Sequence, residues 1–262
     1  MHHDAPGFDK DAQARNTGTG DMEFTQPISS LVLANGVVIL AALVQTSTGM
    51  GFGMIAAPLL ALVSLEYVPG PMLFINLFLS LLMLGDGRAN VVQREVAFLL
   101  PTILIGTAIG AAIVMLVPTD TLGVLFALLI LVAVAVTVFA KALALTSRNL
   151  AVCGVAVGVM GTATGIPGAP LVVLYQNERI EKTRPTMALV FTFSYISSLV
   201  ALSFAGAFSA QLAFLGLMLL PGLIIGYAAG KRVRGYMTKA TGRFLMLSIS
   251  STGALLLLLK SI

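Results

Sequence analysis

One cysteine (Cys153), two histidines (His2 and His3) and charge on only 10% of its positions are the scarcities of this 262-residue chain. Each removes a class of protein. A single cysteine closes no intramolecular disulfide, and histidines confined to the second and third positions offer no fixed metal site, so no metal is expected. No histidine lies at membrane depth, no HExxH stands in the chain and no cysteine–histidine or facing acid pair is available, so an enzyme is not expected and no cofactor is implied. A soluble domain carries about 25% charged residues. This chain is 58% hydrophobic with a mean hydropathy of +0.99, too apolar to cover itself with a polar surface. Its apolar runs are long and do not alternate as barrel strands do. The fold class is therefore an all-α polytopic membrane protein.

Residues 1–27 are polar and read as a disordered N-terminal tail without a basic n-region or cleavage site, so the first helix acts as an uncleaved signal. Beyond the tail, ten helical segments are predicted, at 29–48, 53–65, 69–85, 96–117, 121–140, 148–161, 168–177, 184–206, 210–230 and 241–260. The second and seventh are too short for a hydrocarbon core of about 30 Å and read as half-helices. Twelve of the fifteen Lys and Arg fall in four connections, carrying Arg88 and Arg94, Lys141 and Arg148, Arg179, Lys182 and Arg184, and Lys231 to Arg243. Segment counting places all four on one side, the cytoplasm by the positive-inside rule, with Glu66, Asp120 and both termini outside. The basic residues lack interleaved aromatics, so the basic pI reflects topology and not nucleic-acid binding.

The chain repeats itself. LLPTILIGTAIG (99–110) matches LLPGLIIGYAAG (219–230), and TGMGFGMIAAPLL (48–60) parallels MGTATGIPGAPLV (160–172). This divides the membrane domain into repeats at 28–145 and 146–262. Five segments per repeat is an odd number, so the two repeats are expected in opposite orientations. Gly/Pro-interrupted segments at matching places in inverted halves point to a transport site, although glycine in membrane helices also serves close packing. Two half-helix N-termini meeting near the midplane would present N–H groups and positive dipole ends to an anion. Pro167 marks the second break, while Pro58 and Pro170 lie just inside the half-helices.

These duplicated blocks, in their order and spacing, resemble the TauE/SafE family of membrane exporters across nearly the whole chain beyond the tail. The resemblance implies export of a small anion, sulfite or an organosulfonate such as sulfoacetate, across the bacterial inner membrane. Family members often carry three successive glycines in each block, where this chain has Phe52-Gly53-Met54 and Ile166-Pro167-Gly168.

The substrate-binding candidates are the break residues Gly49, Gly51, Gly53, Gly165 and Gly168 and the polar side chains beside them, Gln45, Thr46, Ser47, Thr48, Thr162 and Thr164. Asn76 in the third segment and Ser194 and Tyr195 in the eighth complete the set, Thr192 lying in the same region. Asp86 is the one candidate for proton coupling, a helix cap near Arg88 being its plainer role. The partners expected are the anion and the lipid bilayer. Small-residue faces would allow a homodimer without demanding one. An anion channel on the same architecture is the alternative, and a purely structural subunit would tolerate polar substitution at both breaks.

Overall fold

A computed structural model describes residues 27–86, 91–117, 122–178 and 180–261. The expected tail apart from Pro27, and the predicted loop residues Arg88, Asp120 and Arg179, lie outside them. Eleven α-helices follow one another: α1 (Ile28–Thr48), α2 (Phe52–Val63), α3 (Gly70–Gly85), α4 (Gln93–Leu116), α5 (Leu122–Phe139), α6 (Ser147–Thr164), α7 (Gly168–Tyr175), α8 (Ile180–Phe204), α9 (Ala210–Leu217), α10 (Leu220–Val233) and α11 (Lys239–Ser261). The molecule is an all-α polytopic membrane protein. Among the described residues four helices are long and apolar enough to cross a membrane, or five if α9 and α10 form one bent span. The short segments are as short as expected, 12 residues in α2 and 8 in α7.

One predicted segment is corrected. The span at 210–230 is two helices, α9 and α10, bent by 45°. Pro221 sits in the first turn of α10, where its missing N–H costs nothing, whereas its sequence counterpart Pro101 lies inside the unbroken α4. Asn35 of α1 supports the broken span. Its Nδ2 donates to the Met218 carbonyl (3.1 Å) and its Oδ1 accepts from the Gly222 N–H (2.8 Å), so one side chain partners two backbone groups at the break. In a membrane such groups must be met inside the protein.

Packing follows the duplication. α4 lies on α6 and α1 on α10, α3 lies on α8 and α5 on α11, and α2 touches α11 as α7 touches α5. Exchanging α1–α5 for α6–α11 swaps α4·α6 with α1·α10 and α2·α11 with α5·α7, and maps α3·α8 and α5·α11 onto themselves. The glycines of the LLPxxxIGxxxG motifs make the two tightest seams. A Cβ on Gly110 would lie 2.8 Å from the Val159 carbonyl oxygen of α6. One on Gly230 would lie 2.8 Å from the Leu43 carbonyl oxygen of α1. Backbone meets backbone at both, as small-residue packing in lipid requires. Pro58 likewise has its compensation. It leaves the carbonyl of Met54, four residues back, without an intrahelical partner, and the fully buried Ser250 of α11 donates its hydroxyl there.

Candidate functional site

Each break begins with a helix ending in the left-handed region. α1 stops at Gly49 (φ 97°), whose N–H donates to the Gln45 carbonyl at 2.7 Å, and Gly51 (φ 116°) leads into α2. α6 stops at Gly165 (φ 74°), with N–H to the Gly161 carbonyl at 2.9 Å, and Pro167 precedes α7. These φ values cost a residue with a Cβ.

The two breaks touch. A Cβ on Gly53 would stand 2.5 Å from the Gly165 carbonyl oxygen and 3.0 Å from Ile166 Cα. From this shared point the half-helices diverge. α2 follows α11 toward its C-terminal end, where Lys260 Nζ donates to the Leu62 carbonyl (3.2 Å). α7 ends beside the first turns of α11, where Arg243 Nη1 donates to Gln176 Oε1 (3.0 Å). Both half-helices thus start at the contact and run to opposite sides, with first-turn N–H groups of α2 and α7 lacking intrahelical acceptors.

A buried amide chain holds one of these ends. The Phe52 N–H donates to Gln45 Oε1 (3.0 Å), Gln45 Nε2 donates to Asn76 Oδ1 (3.1 Å), and Asn76 Nδ2 donates to Tyr195 Oη (2.6 Å). Gln45, Asn76 and Tyr195 are each 1% exposed. The Tyr195 ring stacks on Phe191 with centroids 5.9 Å apart. Four helices, α1, α2, α3 and α8, are therefore coupled through three side chains at the α2 N-terminus.

The remaining sequence candidates separate by what their hydroxyls do. Ser47 and Thr164 donate back to their own helices, to the Leu43 and Met160 carbonyls, and Thr48 spans the Val44 and Met50 carbonyls, as Ser and Thr in apolar helices often do. Thr162 pairs with Ser198 at 2.8 Å, and Thr192 with Ser80 at 3.1 Å. Thr46 and Ser194 are fully buried, and their hydroxyls have no partner among the described residues. Thr46 faces α10, since a Cβ on Gly230 would meet its Cβ at 2.6 Å. Ser194 faces the second break, its Oγ standing 3.1 Å from the Cβ position of Gly161, which also meets Pro167. Gly168 opens α7 with room to spare, as its Cβ position meets only Phe191 at 3.7 Å.

Asp86 stands apart from the breaks. It follows the last residue of α3 and binds α10, with Lys231 Nζ at 3.0 Å, Arg234 Nη2 at 3.3 Å and the Tyr227 hydroxyl at 3.0 Å. Partial burial is the largest single influence on its carboxyl and pushes the pKa up. The bonds and charges of Lys231, Tyr227 and Arg234 together outweigh it and hold the pKa below the ordinary carboxylate value. A folded-state pKa below the unfolded one gives stability that is complete above about pH 4 and is lost as pH falls through the folded value. Asp86→Asn should therefore show a smaller loss of thermal stability on acidification below pH 4 than the wild type. Equal losses would remove this tie from the account.

Two basic residues that the charge count assigns to the connections stand beside the first break. Arg184 in the first turns of α8 is half-buried, donates from Nη2 to the Ser47 carbonyl and packs on Gly49, whose Cβ position lies 2.8 Å from Arg184 Cγ. A cation over the last carbonyls of α1 complements the negative end of that helix. Arg243 reaches toward the same break from α11. Both are counted with the connections by charge, and each stands in the first turns of its helix.

A family model described as sulfite exporter TauE/SafE matches residues 34–257. A search of curated proteins and one of solved structures each find no match. A match that takes in both breaks, both glycine seams and all eleven helices at least in part settles the kinship: the chain belongs to the TauE/SafE sulfite exporter family.

Proposed function

We propose that this exporter moves a small sulfur oxyanion, sulfite or an organosulfonate such as sulfoacetate, across the bacterial inner membrane by alternating access. In this reading the repeats at 28–145 and 146–262 rock against each other around the contact of the two breaks. The anion binds where the N-termini of α2 and α7 converge, and both chain termini lie outside. The observation that carries the reading is the meeting of Gly53 with Gly165 and Ile166, which brings two helix N-termini to one point.

Secondary features agree with it. The unpartnered hydroxyl of Ser194 beside Gly161 is a donor that a substrate oxygen can accept from, and a buried polar group without a partner otherwise costs about 1–3 kcal/mol. The Gln45–Asn76–Tyr195 chain fixes the α2 end without placing a charge beside it. Backbone contact at the centre favours a carrier that opens to one side at a time over an open channel.

The experiment is a thermal-shift scan of purified protein against sulfite, sulfate, sulfoacetate, taurine and simple carboxylates, followed by flux in proteoliposomes. A ligand at a hundred times its Kd stabilises the folded state by about 2.7 kcal/mol. Selective stabilisation and saturable transport of one sulfur oxyanion are expected. A protein that responds only to carboxylates, or to nothing in the panel, would overturn the substrate assignment.

A further inference from the structure

A cavity of about 330 Å3 opens between the first break and the ends of α7 and α11, lined by Thr48, Met50, Tyr175, Gln176, Arg243 and Met246 among others. Thr48 and Met50 belong to the first break, and Met246 packs on Gly51, so the cavity reaches the break itself. Its volume lies at the small end of ligand pockets, which suits a small ion.

Arg243 supplies its charge. The side chain is half-buried, and its two hydrogen bonds go to neutral acceptors, Gln176 Oε1 from Nη1 at 3.0 Å and the Thr137 carbonyl from Nη2 at 2.5 Å. Among the described residues no carboxylate is ion-paired with it. Two acids, Glu95 and Glu178, line a separate cavity of about 100 Å3 that shares Tyr175 with this one, and the Tyr175 hydroxyl donates to Glu95 on that side. A guanidinium has five N–H donors, so two bonds leave three. It is weakly hydrated and matches a planar pair of oxygens, which makes it a better partner for an oxyanion than an ammonium. Gln176, whose carbonyl oxygen Arg243 engages, keeps its amide NH2 as a further donor.

We propose that this cavity is a capture station for the oxyanion head of the substrate, with Arg243 as its counter-charge and Gln176 as a supporting donor, placed between the basic side of the protein and the first break. The proposal rests on the anion-transport reading and names where the anion waits before it reaches the break. Charge at the station draws the anion in. With Arg243 the one cation among the described lining residues, the site binds it weakly enough to pass it on.

The test uses the full chain with Ala240→Cys, a substitution in the cavity wall, in a Cys153→Ala background that removes the native thiol. Sulfoacetate should slow labelling of the introduced thiol by a maleimide. Adding Arg243→Gln should raise the protecting concentration at least tenfold, Arg243→Lys should raise it less, and Arg232→Gln, on the exposed end of α10, should leave it unchanged. Lysine rescue separates charge from packing, because lysine cannot rebuild the two-armed bond to Gln176 and Thr137. Transport of sulfoacetate without protection would overturn the station and leave the transport reading intact. Protection without transport would support the station and sink the transport reading. Protection that survives Arg243→Gln would overturn the role of Arg243.

Discussion

Gly53→Val should enter the membrane and carry no anion. A Cβ at this position has no place to go: the Gly165 carbonyl oxygen is 2.5 Å away and Ile166 Cα is 3.0 Å away, and both are backbone. A clash with a flexible side chain is relieved by a rotamer change, whereas this one is relieved only by parting the two breaks. Overpacking typically costs about 1–3 kcal/mol. Here the strain falls where the two breaks meet, so the loss should be larger in transport than in folding. Gly168→Ala is the internal control. It lies in the matching block and opens α7, but its new methyl would rest in ordinary contact with Phe191 at 3.7 Å. The expected result in proteoliposomes, per molecule inserted, is flux near background for Gly53→Val, strong loss for Gly53→Ala and near-normal flux for Gly168→Ala. Wild-type flux from Gly53→Val would show that the contact of the breaks is irrelevant to transport.

The contrast between those two glycines marks how far the sequence can be read. Duplication of the blocks exposes both breaks and both half-helices, because Gly and Pro act locally through φ and the missing N–H. Membrane spans are legible for a similar reason, since apolar length is a property of a contiguous segment. What the blocks do not separate is a glycine required by a neighbour from a glycine merely present, as that depends on which backbone arrives from elsewhere. The same limit hides the α9–α10 break. Pro101 and Pro221 stand in matching motifs, and the Asn35 side chain that meets the interrupted backbone of one of them lies 187 residues from Gly222 in sequence. Gln45, Asn76 and Tyr195 are recognisable one at a time as polar residues in apolar runs. Their connection is not, being made across three helices. Arg184 and Arg243 are harder still, because a basic residue at a helix end satisfies the positive-inside rule whether or not it turns inward toward a break.

Removing the middle of the amide chain should cost more than a typical membrane hydrogen bond. Asn76→Leu keeps roughly the volume of the side chain and leaves a Gln45 donor and the Tyr195 hydroxyl without the bonds that Asn76 gives them. Side-chain hydrogen bonds between membrane helices average about 0.6 kcal/mol, because the separated helices find other partners. That average does not transfer here. Gln45 and Tyr195 are each 1% exposed and packed inside the bundle, so neither water nor another helix can replace the lost partner. The relevant figure is the cost of stranding a buried polar group, about 1–3 kcal/mol each, and two groups are stranded. Loss of the Asn76 anchor also frees Gln45 to leave the Phe52 N–H, so the α2 end should loosen and transport should fall along with stability. Tyr195→Phe tests whether the chain acts as one unit. Alone it strands the Asn76 donor, but combined with Asn76→Leu it removes a hydroxyl that has already lost its bond. The double variant should therefore be less destabilised than the sum of the singles, by an interaction energy of about 0.5–3 kcal/mol in thermal unfolding. Additive losses would mean that Asn76 and Tyr195 serve their own helices separately, and the α2 N-terminus would then have Gln45 alone to hold it.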